Sequence, residues 1–208
     1  MTHRPPVIGL VGGIASGKST VAAMLQEFGC VVSDADRAAQ EALDDPGVQQ
    51  ELVRWWGDRT LDDAGKVDRA VVADIVFAND DDRRRLEALI HPRVERARHA
   101  CFSTAPPDTR ALVIDAPLLL EAGLGEQCDA ILHVESSLPR RQERVHAARG
   151  WDKAELARRE ETQVSLDEKR SRADHVLCND GDETSLKAEV IAALEAVLRT
   201  ALDPPDIV

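Results

Sequence analysis

The chain has 208 residues, 43% of them hydrophobic, which is enough for one large domain with a real core. It carries 38 Asp and Glu against 26 Lys and Arg, a formal net charge of -12. A field of that sign repels a polyanion and excludes nucleic acid as a main partner, while a small phosphorylated ligand needs only a locally basic cleft.

The first apolar run, Val7-Ile8-Gly9-Leu10-Val11, reads as a buried strand. It leads directly into Gly12-Gly13-Ile14-Ala15-Ser16-Gly17-Lys18-Ser19, a complete P-loop pattern, and then into Val21, Met24, Leu25 and Phe28 at helical spacing, with Gly29 as a stop. Strand, glycine-rich turn and helix start are the context this motif requires. Glycines let the backbone curl so that successive N–H groups face a polyphosphate, and the helix N-terminus adds partial positive charge. Gly13, Ile14, Ala15, Ser16, Gly17, Lys18, Ser19 and Thr20 are therefore the expected nucleotide contacts. Lys18 reaches the β- and γ-phosphates and the Ser19 hydroxyl ligates Mg²⁺.

A second strand, Cys30 to Ser33, ends in Asp34-Ala35-Asp36-Arg37. Ligands of open parallel sheets bind beyond the C-terminal strand ends, so these carboxylates are expected to point into the phosphate site. One of them can take the proton of an acceptor hydroxyl, and one can cap the helix that follows. Asp36 is the better placed cap, which leaves Asp34 as the base. The long stretch before the third strand carries three helical stripes: Val48, Leu52 and Trp55; Val71, Val72, Ile75 and Val76; and Leu86, Leu89 and Ile90 before Pro92. This is a helical insert over about 36–100, of the size of an acceptor-binding subdomain, with Trp55 and Trp56 as its core and rim. Pro106-Pro107-Asp108 marks the return to the sheet.

The third strand, Ala111 to Ile114, closes on Asp115, which resembles a Walker B carboxylate that holds Mg²⁺ through water. The fourth runs from Ala130 to Val134. Beyond it, residues 139–172 carry ten Lys and Arg against seven Asp and Glu, including Arg140, Arg141, Arg144 and Arg149. A solvated, ion-paired helix face and a lid of arginines over transferring phosphates both fit this composition; the place after a P-loop and between strands four and five favours the lid. The fifth strand is His175 to Cys178, followed by an amphipathic helix from Leu186 to Leu202 that Asp203-Pro204-Pro205 ends. The four cysteines have no metal-ligand spacing; Cys30 and Cys178, inside apolar strands, read as buried thiols of a reducing compartment. Nothing approaches a membrane span or a secretory leader, so the chain reads as cytoplasmic, with neither membrane nor nucleic acid as partner. The expected architecture is α/β: a single domain over 1–208 with the P-loop NTPase fold, a five-stranded parallel sheet with helices on both faces, plus the helical insert and lid.

The chain resembles the dephospho-CoA kinases. The resemblance rests on motifs in order: Gly12-Gly13-Ile14 through Thr20, Asp34-Ala35-Asp36, Val67-Asp68-Arg69 with Ile75-Val76-Phe77, Leu86-Glu87 through His91-Pro92, Pro117-Leu118-Leu119 with Glu121, Gln163, and Glu168-Lys169-Arg170-Ser171-Arg172-Ala173-Asp174 with Asn179-Asp180-Gly181. It implies transfer of the ATP γ-phosphate to the ribose 3'-hydroxyl of dephospho-CoA. ATP and dephospho-CoA are then the substrates, Mg²⁺ the metal, and a monomer or weak homo-oligomer the working form. Residue by residue it implies Asp34 as base, Lys18 and the loop amides on the ATP phosphates, Ser19 and Asp115 on Mg²⁺, Arg144 as the lid arginine, and Asn179 near the adenine. His91-Pro92 reads equally as part of that pattern or as a proline ending a helix. Two positions depart from the family pattern. Val11 stands where many members carry Thr, and Ala148 stands where a second lid arginine is usual. Arg149 comes one residue later, a rotation of ~100° around a helix.

Two other readings share part of this pattern. A small-molecule kinase for a nucleoside monophosphate or a sugar acid shares P-loop, insert and lid, and differs in acceptor. A GTP-dependent switch needs an Asn-Lys-x-Asp motif near strand five, which the chain lacks; Asp44-Asp45-Pro46-Gly47 lies far from strand three.

Overall fold

The computed structural model describes residues 4–202. The chain divides into two compact units, Met1–Ser33 together with Thr104–Val208, and Asp34–Ser103. The Asp203-Pro204-Pro205 stop lies outside the described residues.

The sheet has five parallel strands, β1 (Val7–Gly12), β2 (Val31–Asp34), β3 (Leu112–Asp115), β4 (Ala130–Glu135) and β5 (His175–Cys178), in the order β2-β3-β1-β4-β5, and all but the last residue of β2 belong to the first unit. The central strand β1 is buried along its whole length, as its unbroken apolar run requires. Its register pairs Leu10 with Asp115, the last residue of β3, and Gly12 with Val134 on β4. Ile8 and Leu10 face one way, into a core with Val21, Met24 and Leu25 of α1 (Lys18–Glu27) and Leu186, Val190, Leu194 and Val197 of α9 (Glu183–Leu202). Gly9 faces the other way, where a Cβ would meet the Cys128 Sγ at 2.9 Å and Leu119 at 3.0 Å. That second face is covered by the segment after β3 and by α8 (Leu166–Ser171), which packs on β1. Two further helices, α6 (Leu138–Arg149) and α7 (Lys153–Glu160), complete the connection from β4 to β5. Gly29 ends α1 as expected, at φ 84° with its N–H on the Gln26 carbonyl.

The second unit holds α2 (Ala35–Leu43), α3 (Pro46–Trp56), α4 (Arg69–Ala78) and α5 (Asp80–Ser103) around its own core of Val48, Leu52, Val67, Val72 and Ile90. Asp45 and Asp68 cap α3 and α4, each accepting two backbone N–H bonds. Trp55 and Trp56 pack edge to face against this core, with ring centroids 5.6 Å apart.

Two expectations are corrected here, and one open alternative is decided. Asp34, not Asp36, caps α2: helix follows strand with no intervening turn, so the Asp34 carboxylate is the one that accepts the Arg37 N–H, at 2.9 Å, and Asp36 falls in the first helical turn. Pro92 does not end a helix. Helix α5 runs through it, because Leu86, Leu89 and Ile90 before the proline and Val94 after it all pack on the same core. Cys178 is exposed, whereas Cys30 is buried. Strand β5 is an edge strand, in which only Leu177 is fully buried and the alternating neighbours turn outward.

These environments set thiol reactivity. Burial pushes the Cys30 thiol up to about 11, outweighing the opposing effects of Arg110 and the Ala111 backbone. With iodoacetamide at about pH 8, peptide mapping is expected to find Cys178 modified well before Cys30. Equal rates in the native protein contradict this placement.

Candidate phosphate-binding site

The loop between β1 and α1 takes the conformation that a polyphosphate cradle needs. Gly12, Ala15 and Gly17 all have positive φ (156°, 59° and 101°), and the Ser16 N–H closes the turn on the Gly13 carbonyl at 3.1 Å. Ala15 holds a left-handed conformation that costs an L-residue on the order of 1–2 kcal/mol. The N-cap of α1 is Gly17, which has no side chain to cap the helix, and Lys18 and Ser19 follow it. An anion is what the first amides of such a helix accept.

Turning the loop's amides inward turns its carbonyls outward, and these are met by residues far along the chain. The Asn179 carboxamide donates to the Ser16 carbonyl at 2.7 Å. The Arg144 guanidinium donates to the carbonyls of Ala15 at 3.4 Å, Ser16 at 3.3 Å and Asn179 at 2.9 Å, and to the Ser136 hydroxyl at 3.3 Å. Asp180 fastens the entry to α6, accepting from the Ser136 hydroxyl at 2.8 Å and the Ser137 N–H at 2.9 Å; those bonds, the backbone one foremost, hold its carboxyl below the ordinary range. Gly13 through Thr20, Arg144 and Asn179 are thus gathered around one loop.

The remaining expected site residues sit elsewhere. Asp115 ends β3 in register with Leu10. Asp34 ends β2 and belongs to the second unit, as the cap of α2. Arg149 stacks on Trp151, its guanidinium 4.8 Å from the ring centroid, with Arg159 on the same ring at 4.1 Å. The oxygens of Ser19 and Asp115 are hard donors of the kind Mg²⁺ takes, and Mg²⁺ draws most of its remaining ligands from phosphate and water. Among the described residues no group of three His, Cys, Asp or Glu side chains forms a metal cage. The donor set fits a cation shared with a nucleotide.

Residues to which the sequence gives no individual role also lie around the loop. Arg141, one turn before Arg144, is 4% exposed and forms an ion pair with Glu160. The Glu160 carboxylate also accepts the Ile14 N–H at 3.3 Å. Below the loop Lys169, 1% exposed, donates to Gln163 at 2.9 Å and lies 3.7 Å from Glu121, whose carboxylate accepts the Val164 N–H at 2.8 Å. Burial pulls the Lys169 ammonium below its ordinary value, with Glu121 opposing. Glu121, Gln163 and Lys169 are far apart in sequence and converge here, while α8 sets Leu166 against Gly13. His133, 3% exposed on β4, has an Nδ1 without a hydrogen-bond partner among the described residues. Burial, aided by Arg170, Lys169 and Lys18 and opposed by Glu135, holds it below the ordinary histidine value.

Strand, phosphate loop and helix, with the arginines of α6 fastened to the loop, define a P-loop kinase. A family model described as dephospho-CoA kinase matches residues 6–185. A dephospho-CoA kinase of Thermobifida fusca is 38% identical over 194 residues, 92% of this chain and 96% of its own. One of Gloeobacter violaceus is 41% identical over 191 residues, 91% of each. A crystal structure of a Thermus thermophilus protein superposes with a TM-score of 0.82 at 34% identity, covering 93% of this chain and 97% of that one. A shikimate kinase of Bacteroides thetaiotaomicron, with a TM-score of 0.53 at 13% identity over 92% of this chain and 98% of its own, shares the fold. The chain belongs to the dephospho-CoA kinase family.

Two outcomes follow from this geometry. A Cβ at Gly17 would stand 2.0 Å from the Asn179 Nδ2, at a φ that disfavours L-residues. Gly17→Ala is expected to weaken MgATP binding by about tenfold or more in calorimetry, the loss of roughly one charge-assisted contact; wild-type affinity contradicts it. His133 is depressed in the folded state, so folding is opposed as pH falls below the unfolded value of about 6.5. The drop in Tm between about pH 7 and pH 5 is expected to be smaller in His133→Gln than in wild type. Equal drops refute that assignment.

Proposed function

We propose that the chain transfers the γ-phosphate of ATP to the ribose 3'-hydroxyl of dephospho-CoA, giving coenzyme A and ADP. The family match across residues 6–185 carries this reading, and the loop with its fastened arginine and asparagine supports the donor half. In this reading the amides from Gly13 to Thr20 and the Lys18 ammonium hold the ATP phosphates. The Ser19 hydroxyl and the Asp115 carboxylate would hold Mg²⁺, which supplies charge neutralisation between the phosphates when bound.

Asp34 takes the proton of the 3'-hydroxyl. The 3'-oxygen forms its bond to the γ-phosphorus as the bond from phosphorus to the β–γ bridging oxygen breaks, with no covalent enzyme intermediate. Arg144, held on the loop, offsets the charge that develops on the transferred group. Asn179, expected at the adenine, is read here as fastening the loop through Ser16. The helical unit Asp34–Ser103 receives the acceptor, and the lid over about 139–172, which holds α6, α7 and α8, excludes water as a competing acceptor. The working form is a cytoplasmic monomer or weak homo-oligomer, with neither membrane nor nucleic acid as partner.

Shikimate kinase and gluconokinase share the fold, so the acceptor is the point to test. ADP release measured in parallel with dephospho-CoA, AMP, CMP, shikimate and gluconate is expected to show turnover with dephospho-CoA; turnover only with another acceptor sinks the reading. Lys18→Ala and Asp34→Asn are each expected to lower kcat by at least ~100-fold, the usual scale for a lost charge stabiliser or base. Asn caps helices as well as Asp does, so Asp34→Asn keeps the α2 cap and removes only the base. A near-normal Asp34→Asn rate confines that residue to positioning.

A further inference from the structure

The Glu160 carboxylate, at the C-terminal end of α7, is held by the Ile14 N–H at 3.3 Å and by the Arg141 guanidinium. One phosphate-loop amide and one guanidinium are the donors that a phosphate oxygen takes at such a loop. We propose that Glu160 is an internal stand-in for a nucleotide phosphate oxygen. It holds Ile14 and Arg141 in the nucleotide-free enzyme, and the arriving polyphosphate displaces it and takes over Arg141.

Three observations carry the exchange. Arg141 is 95% shielded along its side chain, and a buried guanidinium needs an anion in every state it occupies; Glu160 serves in one state and phosphate in the other. Glu160 is the more accessible partner, with 23% of its side chain exposed, so it can swing out while Arg141 stays. Arg141 and Arg144 lie three residues apart on one face of α6 and touch successive parts of the loop. Arg144 meets the Ala15 and Ser16 carbonyls, and the Arg141 Nη1 would be 3.0 Å from a Cβ at Gly13. With Ala148 lacking a guanidinium and Arg149 stacked on Trp151, Arg141 is the second arginine set against the phosphate loop. Glu160 leaving would also leave Lys18, Arg141 and Arg144 with a net positive field toward an entering anion.

The inference rests on the nucleotide-kinase reading but not on the acceptor, so it is tested by MgADP binding in calorimetry without acceptor. Glu160→Gln keeps size and shape and removes the competing charge. It is expected to bind MgADP about fivefold or more tighter than wild type, the scale of one partly shielded ion-pair contact. Glu161→Gln makes the same change of net charge at an exposed neighbour and is expected to stay within about twofold, since a surface charge is largely screened. Should Glu160→Gln fail to fold, Glu160→Asp, which retracts the carboxylate by one methylene, is judged by the same criterion. Unchanged or weaker binding overturns the proposal, and so does equal tightening by Glu161→Gln. Failure of wild type to phosphorylate dephospho-CoA touches only the acceptor assignment and leaves this titration standing.

Discussion

A backbone that points its N–H groups at a ligand must point its carbonyls somewhere else, and those carbonyls need donors. Much of the architecture around the loop answers that requirement. Ala15 and Ser16 turn their oxygens away from the cradle, and Arg144 and Asn179 meet them from α6 and from the end of β5. The strand order β3-β1-β4-β5 brings those elements beside the loop, and Asp180 pins the start of α6 so that Arg144 arrives at the right height. Without these donors the partly buried carbonyls of Ala15 and Ser16 would lose their partners.

The same logic extends beneath the loop. Lys169 is a buried cation, tolerable only because Gln163 and Glu121 meet it, and Glu121 in turn satisfies the Val164 N–H. The network ties the segment after β3 to the turn before α8, and α8 sets Leu166 against Gly13. Glu121, Gln163 and Lys169, which the family resemblance singles out, are therefore supports. They keep one cation, Lys169, buried in a chain whose overall charge is -12.

What could be read along the chain was what depends on neighbours in the chain. The strands, the loop and α1 are each a short stretch whose pattern dictates its shape, and their ends shift by one residue at most in the sheet. Features that depend on distant partners were not legible. Nothing in residues 153–160 says that Glu160 reaches Ile14, because that contact spans 146 positions. At Pro92 the local pattern leaves a stop and a continuing helix equally open, and packing on both sides of it outweighs one lost hydrogen bond. Cys178 read as buried because its strand is apolar, and only the strand order reveals an edge. The Asp34 cap turned on a single residue of helix start, the least predictable feature of any element.

The helical unit is one uninterrupted stretch, Asp34–Ser103, between strands that lie side by side in the sheet, and its core draws on none of the residues of the sheet's core. Substitutions in the two cores should therefore add rather than couple. For a lineage of enzymes this is a form of modularity. The stretch can drift in length and lining while the register of the strands, and the curl of the loop they carry, stay as they are. A fold built this way can keep one donor and change what it is given to.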